Sequence, residues 1–203
     1  MNDQLKKWII FLVTLAILAV SYQLTAIYTL SRSMNTSLAT PIDRLIPFLP
    51  GTVIFYLTIY FFWLPAVMSK NISMREFARI VAAVSIAFAT TLLLNMVIPS
   101  AYPRPEISAS DSSGRWLVKN FLYDIDLPNN TFPSSHVVVA TTLILMMAPK
   151  MGKWAFRAYS SWGALITLST LTVKQHYFFD VLAAMTISVL AVLLVKKFWP
   201  QQI

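Results

Sequence analysis

From Trp8 to Leu30 the chain carries no charged residue. A helix over that run is about 35 Å long at 1.5 Å per residue, enough to span a bilayer. Lys6 and Lys7 precede it as they would in a signal peptide. The apolar run is too long for one, and no A-x-A site follows, so the segment is expected to remain as the first helix. Five more apolar runs come after it. The second, over 45–68, is interrupted by Pro47, Pro50 and Gly51, which puts its helix start near Gly51 or Thr52. Its aromatic residues (Phe55, Tyr56, Tyr60, Phe61, Phe62, Trp63) read as lipid and interface packing. The third run, over 78–98, ends at Pro99 and Pro103. The fourth and fifth, about 134–149 and 157–173, are short and rich in the small residues that suit close helix packing. The sixth, about 177–195, stops at Lys196 and Lys197.

Hydrophobic residues make up 57% of the chain and charged ones 12%, far from the soluble norm. The expected fold is therefore one all-α integral membrane domain, a six-transmembrane-helix bundle in the cell membrane. Its spans fall at about 8–30, 51–69, 78–98, 134–149, 157–173 and 177–195. With six crossings both termini share a side, which holds ten of the sixteen basic residues, while six of the eight acids fall on the other. The positive-inside rule then makes the termini cytoplasmic. The net charge of +8 is scattered over short links, which fits attraction to membrane lipids and not a nucleic-acid stripe. With no cysteine, neither a disulfide nor a cysteine-based site is possible. Two histidines and eight carboxylates give little support for a metal cluster, and no cofactor is expected.

The longest polar stretch, about 99–133, lies on the side away from the termini. Trp116 to Leu122 within it reads as a short helix lying in the interface. Long loops of this kind often cover sites. Asp126 and Asn130, with Pro128 between them, read as residues that shape the loop beside His136.

The only two histidines stand where polar loops give way to apolar runs on that same side. His136 follows Pro133, Ser134 and Ser135, a helix-start sequence. Such a start offers free N–H groups and a dipole to an anion. His176 and Asp180 are four apart, so on a helix the carboxylate reaches the imidazole. Together they point to phosphoryl transfer without a metal, at the extracytoplasmic face. A plain cap and a satisfied interfacial His–Asp pair are the structural alternatives.

These residues resemble the motifs of the type 2 phosphatidic acid phosphatase superfamily. That family shows Lys-x6-Arg-Pro, then Pro-Ser-Gly-His, then Ser-Arg-x5-His-x3-Asp. Here stand Arg104-Pro105, Pro133-Ser134-Ser135-His136, and Ser169-Thr170 followed by His176 and Asp180. The resemblance implies a metal-independent lipid phosphatase acting on a lipid phosphate or diphosphate. His176 would be the nucleophile that takes the phosphoryl group, with Asp180 fixing its tautomer. His136 would be the acid and then the base, and Arg104, Ser134 and Ser135 would hold the phosphate oxygens. The six spans exclude a soluble haloperoxidase with similar motifs.

Three positions depart from the pattern. Val97 stands where the family lysine belongs, Thr170 where the second arginine belongs, and Ser135 replaces glycine. Lys174 is a substitute phosphate ligand only if the last helix begins at about Gln175 or His176. Arg115 and Lys119 are the other substitutes, with interfacial anchoring as their alternative. The approach to His136 and the Lys-Gln-His-Tyr segment are similar to a divergent branch, the inositol-phosphorylceramide-synthase-like enzymes, whose acceptor is an alcohol. A lipid phosphotransferase and a non-catalytic phospholipid-binding scaffold therefore stand beside the phosphatase reading.

Overall fold

The computed structural model describes residues 2–32, 36–107 and 113–200. Asp111, counted above among the acids of the long loop, lies outside them. Helix α1 (Asp3–Leu30) is capped by the Asn2 side chain, which accepts from the Gln4 N–H at 2.9 Å. A short helix α2 (Pro41–Leu45) leads to α3 (Pro50–Met68). Helix α4 (Met74–Val97) opens on a reciprocal cap between Ser73 and Glu76. In the long loop, α5 (Ser113–Leu117) runs into a π turn over Val118–Leu122 and a last turn to Ile125. Helices α6 (Ser135–Met147), α7 (Lys153–Thr172) and α8 (Phe178–Phe198) complete the chain.

Four of these, α1, α3, α4 and α8, are long and apolar enough to cross a membrane. Helix α6, with its 3-10 extension to Lys150, is apolar but shorter. Helix α7 begins earlier than the apolar run alone predicts, because its first turn takes in Lys153 and Arg157. The third span likewise starts before 78: its polar first turn is helical, and Arg79 is buried inside α4.

Helix α3 begins where Pro50 and Gly51 predict, but it is not one regular helix. Alpha turns over Val53–Leu57 and Leu64–Met68 flank a 3-10 stretch over Thr58–Phe61. Pro65 explains the break, since it donates no hydrogen bond and its ring crowds the carbonyl four residues back. Three of the aromatic residues of this span are core and not lipid packing: Tyr56, Phe62 and Trp63 are buried. Tyr60 and Phe61 do face outward.

Helix α8 packs on α6 and α4, α1 packs on α4, and α7 packs on α6 and α3. Phe62, Phe77, Val84, Leu143 and Ile166 are fully buried at the centre. Gly163 lets α7 close on α6, because a Cβ there would lie 2.5 Å from Ile144 Cδ1. The Tyr159 ring stacks on Phe62 at 4.1 Å, and its hydroxyl donates to the Phe62 carbonyl at 2.7 Å.

Polar ties mark the two ends of the bundle. At one end Lys7, buried inside α1, donates to the carbonyls of Ser69 (2.8 Å) and Ile72, and Lys150 pairs with Glu76. At the other end the 99–133 loop folds back onto the helix starts. Its helical part, expected in the interface, is docked on the bundle: Val118 and Leu122 are fully buried against Val53, Tyr56 and Val173, while Trp116 and Phe121 stay exposed. Gly114 meets the backbone of Gly51 so closely that a Cβ would sit 2.8 Å from its nitrogen.

Candidate active site

The loop, the start of α6 and the start of α8 meet at this end. Ser134 is the N-cap of α6 and is fully buried; its Oγ accepts from the Val137 N–H at 3.5 Å. Its own N–H donates to the Asp180 carbonyl at 3.4 Å, which ties the two helix starts together. Ser135 opens the helix and is buried, and His136 follows.

Helix α8 begins at Phe178, so His176 lies just before it and not on its face. The histidine is nevertheless fixed. Its N–H and that of Gln175 both donate to the Thr170 carbonyl, at 3.2 and 3.1 Å. Its Nδ1 lies 2.8 Å from the Thr131 carbonyl and 3.6 Å from Asp180 Oδ2. A carbonyl only accepts, so Nδ1 carries the hydrogen and Nε2 is left with the lone pair. The tautomer is therefore set directly by Thr131 and not by Asp180, whose separation exceeds a hydrogen bond. Asp180 is fully buried and uses Oδ2 to accept from the Tyr177 N–H at 2.7 Å, capping α8.

His136 has a second set of neighbours that the motifs do not reveal. Its ring lies on that of Tyr56, with centroids 3.9 Å apart. The Tyr56 hydroxyl donates to one oxygen of Asp126, and Tyr22 of α1 donates to the other at 2.6 Å. Arg104 donates to the carbonyls of Asp126 and of Tyr123 (3.0 Å), and stacks over the Tyr123 ring at 4.1 Å. Burial lowers the pKa of the Arg104 guanidinium and the Asp126 carboxylate opposes that, but an arginine stays charged in either case. His136 lies within electrostatic reach of both Asp126 and His176, so the two histidines belong to one centre.

Asn130 fulfils the loop-shaping role read from the sequence. It adopts a left-handed φ of 59°, and its Oδ1 accepts from the Thr29 hydroxyl at 2.8 Å. Asn129 donates to the Ala26 carbonyl at 2.7 Å.

Lys174 is engaged elsewhere. It has a φ of 60°, and its ammonium donates to the carbonyls of Asp43 (3.2 Å) and Ile46 (2.5 Å). Burial draws its pKa down and the Asp43 charge draws it back up. The last helix starts at Phe178, so Lys174 lies outside it, with its ammonium on these two carbonyls. Lys119 is exposed in the loop, and Arg115 lies one turn before it. Thr170, in the place of the family arginine, is fully buried and serves through its backbone. Nε of Arg104, Nε2 of Gln175 and Oδ1 of Asp180 are buried with no hydrogen-bond partner among the described residues. Among the described residues no group of three or more His, Asp or Glu side chains is arranged to hold a metal ion.

A cavity of about 140 Å³ adjoins this centre, walled by α1 and α3 opposite Ser135, His136 and Val139 of α6.

Comparison with curated proteins finds no match. The fold is similar to the crystal structure of Aquifex aeolicus LpxE, at 17% identity and a TM-score of 0.56, over 80% of this chain and 97% of that one. The PAP2 superfamily model matches residues 77–203, which include Arg104, the Pro-Ser-Ser-His segment, His176 and Asp180. With order, spacing and fold in agreement, the chain belongs to the PAP2 superfamily.

Proposed function

We propose that this protein is a metal-independent lipid phosphate phosphatase that works through a phosphohistidine at His176. The observation that carries the reading is the Thr131 carbonyl on His176 Nδ1, which leaves Nε2 as a lone pair held in place by the loop. Nε2 attacks phosphorus, forming a P–N bond as the P–O bond to the lipid breaks. His136 gives its proton to the departing alkoxide. It then takes a proton from water, whose oxygen displaces His176 and releases inorganic phosphate. Asp180, 3.6 Å from the ring, stabilises the charge that His176 acquires. The first step needs a lone pair on His176 while His136 carries the proton it gives up.

The equatorial oxygens require donors. Arg104 supplies a cation and an unpartnered Nε–H. Ser134 and Ser135 supply the start of α6, and Gln175 supplies a buried amide beside the nucleophile. Lys174 would have to leave two carbonyls to join them.

In this reading all six long helices cross the membrane. The termini and the ties of Lys7 and Lys150 then lie at the cytoplasmic side, and the histidines at the extracytoplasmic one. The chain lacks cysteine, so a single introduced cysteine is a unique probe. A thiol at Lys70 should resist an impermeant reagent added to whole cells, and one at Leu49 should react; the reverse pattern would invert the topology.

The chemistry is tested by stopping turnover in acid-free denaturant and mapping phosphate by mass spectrometry. Phosphate on His176 supports the reading, and phosphate on no histidine at all during steady turnover contradicts it. A phosphotransferase shares every step but the last, with an alcohol in place of water. The resemblance to the alcohol-using branch favours testing it with added alcohols.

A further inference from the structure

The cavity beside His136 has no part in the chemistry just described. Leu15, Leu18 and Ala19 of α1 and Ile59 and Trp63 of α3 form its apolar walls, and His136 stands on the opposite side. It opens between α1 and α3, where Ala19, Gln23 and Tyr60 are exposed on the outer surface of the bundle. His136 lines it and His176 does not.

That asymmetry gives the cavity a direction. In-line displacement puts the leaving oxygen on the side of phosphorus away from the nucleophile. If His176 attacks and His136 protonates, whatever is attached to the leaving oxygen extends past His136. We propose that the apolar segment of the leaving lipid alcohol nearest the ester lies in this cavity, and that α1 and α3 select it. The inference rests on the phosphatase reading for the roles of the two histidines. Its walls on α1 and α3 precede residue 77, where the family match begins. The reacting groups and the selecting wall thus come from different parts of the chain. Asp126, held between Tyr22 and Tyr56, forms the polar end of the cavity.

The volume sets the length of the segment. An engineered cavity of about 150 Å³ admits benzene, so this one takes about six carbons. Each buried methylene should strengthen binding about fourfold.

The test uses n-alkyl phosphates from ethyl to decyl, in detergent with EDTA. Wild-type kcat/KM is expected to rise about fourfold per methylene up to about six carbons and then level. Ala19→Phe places a ring in the opening from an exposed position and should flatten the rise. Leu18→Trp fills the cavity from the next residue and guards against failure of the first variant to fold. Ile17→Phe, on the lipid-facing side of the same helix, should keep the wild-type slope. An unchanged slope in both cavity variants would overturn the inference. If the wild type releases no phosphate from any ester, the phosphatase reading falls instead. The same chain series as alkylphosphonates, followed by thermal stabilisation, then decides the cavity by itself. Stabilisation that grows with chain length and is lost in Ala19→Phe supports it; stabilisation independent of chain length, or none, overturns it.

Discussion

Asp126→Ala removes a carboxylate that joins α1, α3 and the long loop. Its two oxygens accept from Tyr22 (2.6 Å) and Tyr56, and the side chain is buried. A buried donor left without an acceptor costs about 1–3 kcal/mol, or about 2–6 for the two phenols. Interhelical hydrogen bonds in bilayers are weaker than that range implies, averaging about 0.6 kcal/mol with a maximum near 1.7, because the unfolded chain finds other partners. One buried acceptor shared by two phenols in a low-dielectric site puts both bonds near the upper end. The expected loss is therefore about 2–3 kcal/mol, which for a chain of this size is about 4–12 °C in Tm. Tyr22→Phe and Tyr56→Phe should each cost about half as much. The double phenylalanine variant should cost at least as much as Asp126→Ala, because it leaves the carboxylate buried with no donor. Thermal unfolding in detergent measures all four. An Asp126→Ala protein melting within a degree of wild type would refute the network as a structural tie. Activity separates a further role: Tyr56→Phe keeps a ring against His136, whereas Tyr56→Leu removes it and should lower kcat more than it alters KM.

Gly114→Val would drive a branched side chain into the backbone of Gly51, which cannot yield cheaply. A loss of about 1–3 kcal/mol and faster proteolytic cutting within the 99–133 loop are expected, and unchanged cutting would argue that the loop is not docked through this contact. Lys174→Met strips a half-buried donor from the Asp43 and Ile46 carbonyls and should lower Tm while leaving KM for the lipid phosphate within a few-fold; a rise in KM of a hundredfold with unchanged Tm would make it a phosphate ligand. The rate should fall on both sides of an optimum as pH changes, because His176 must be neutral when His136 is protonated; a rate that climbs steadily from pH 5 to 9 would contradict the paired roles. EDTA should leave turnover unchanged, and loss restored by a divalent ion would mean a metal takes part.

The histidines, Asp180 and Arg104 stand out in the sequence as polar side chains at fixed spacings, and the fold brings them to one end of the bundle. The apolar runs likewise announced the long helices. What set His176 was not legible: a backbone carbonyl, that of Thr131, carries no sequence signal of its own. The Tyr22–Asp126–Tyr56 network joins residues far apart in the chain, and Tyr56 sits in an aromatic run that composition alone assigns to lipid contact. Asp126 was noticed, but Pro128 beside it pointed to a turn, and a buried acid is distinguished from a turn acid only by its donors. Lys7 reads as a polar flank, since a buried lysine and an exposed one look alike until the carbonyls it meets are placed. In the α5 region, the two faces of the segment carry different residues, Val118 and Leu122 inward and Trp116 and Phe121 outward. The pattern was present, but its inward partner on α3 was not visible.

The central claim is that His176 takes the phosphoryl group from a lipid phosphate. Phosphate release by the purified protein in detergent with EDTA, across a panel of lipid phosphates, compared with His176→Ala, tests it most directly. Release by the wild type from at least one lipid, lost in a variant that still folds, is the predicted result. A His176→Ala protein that retains near-full release would contradict it.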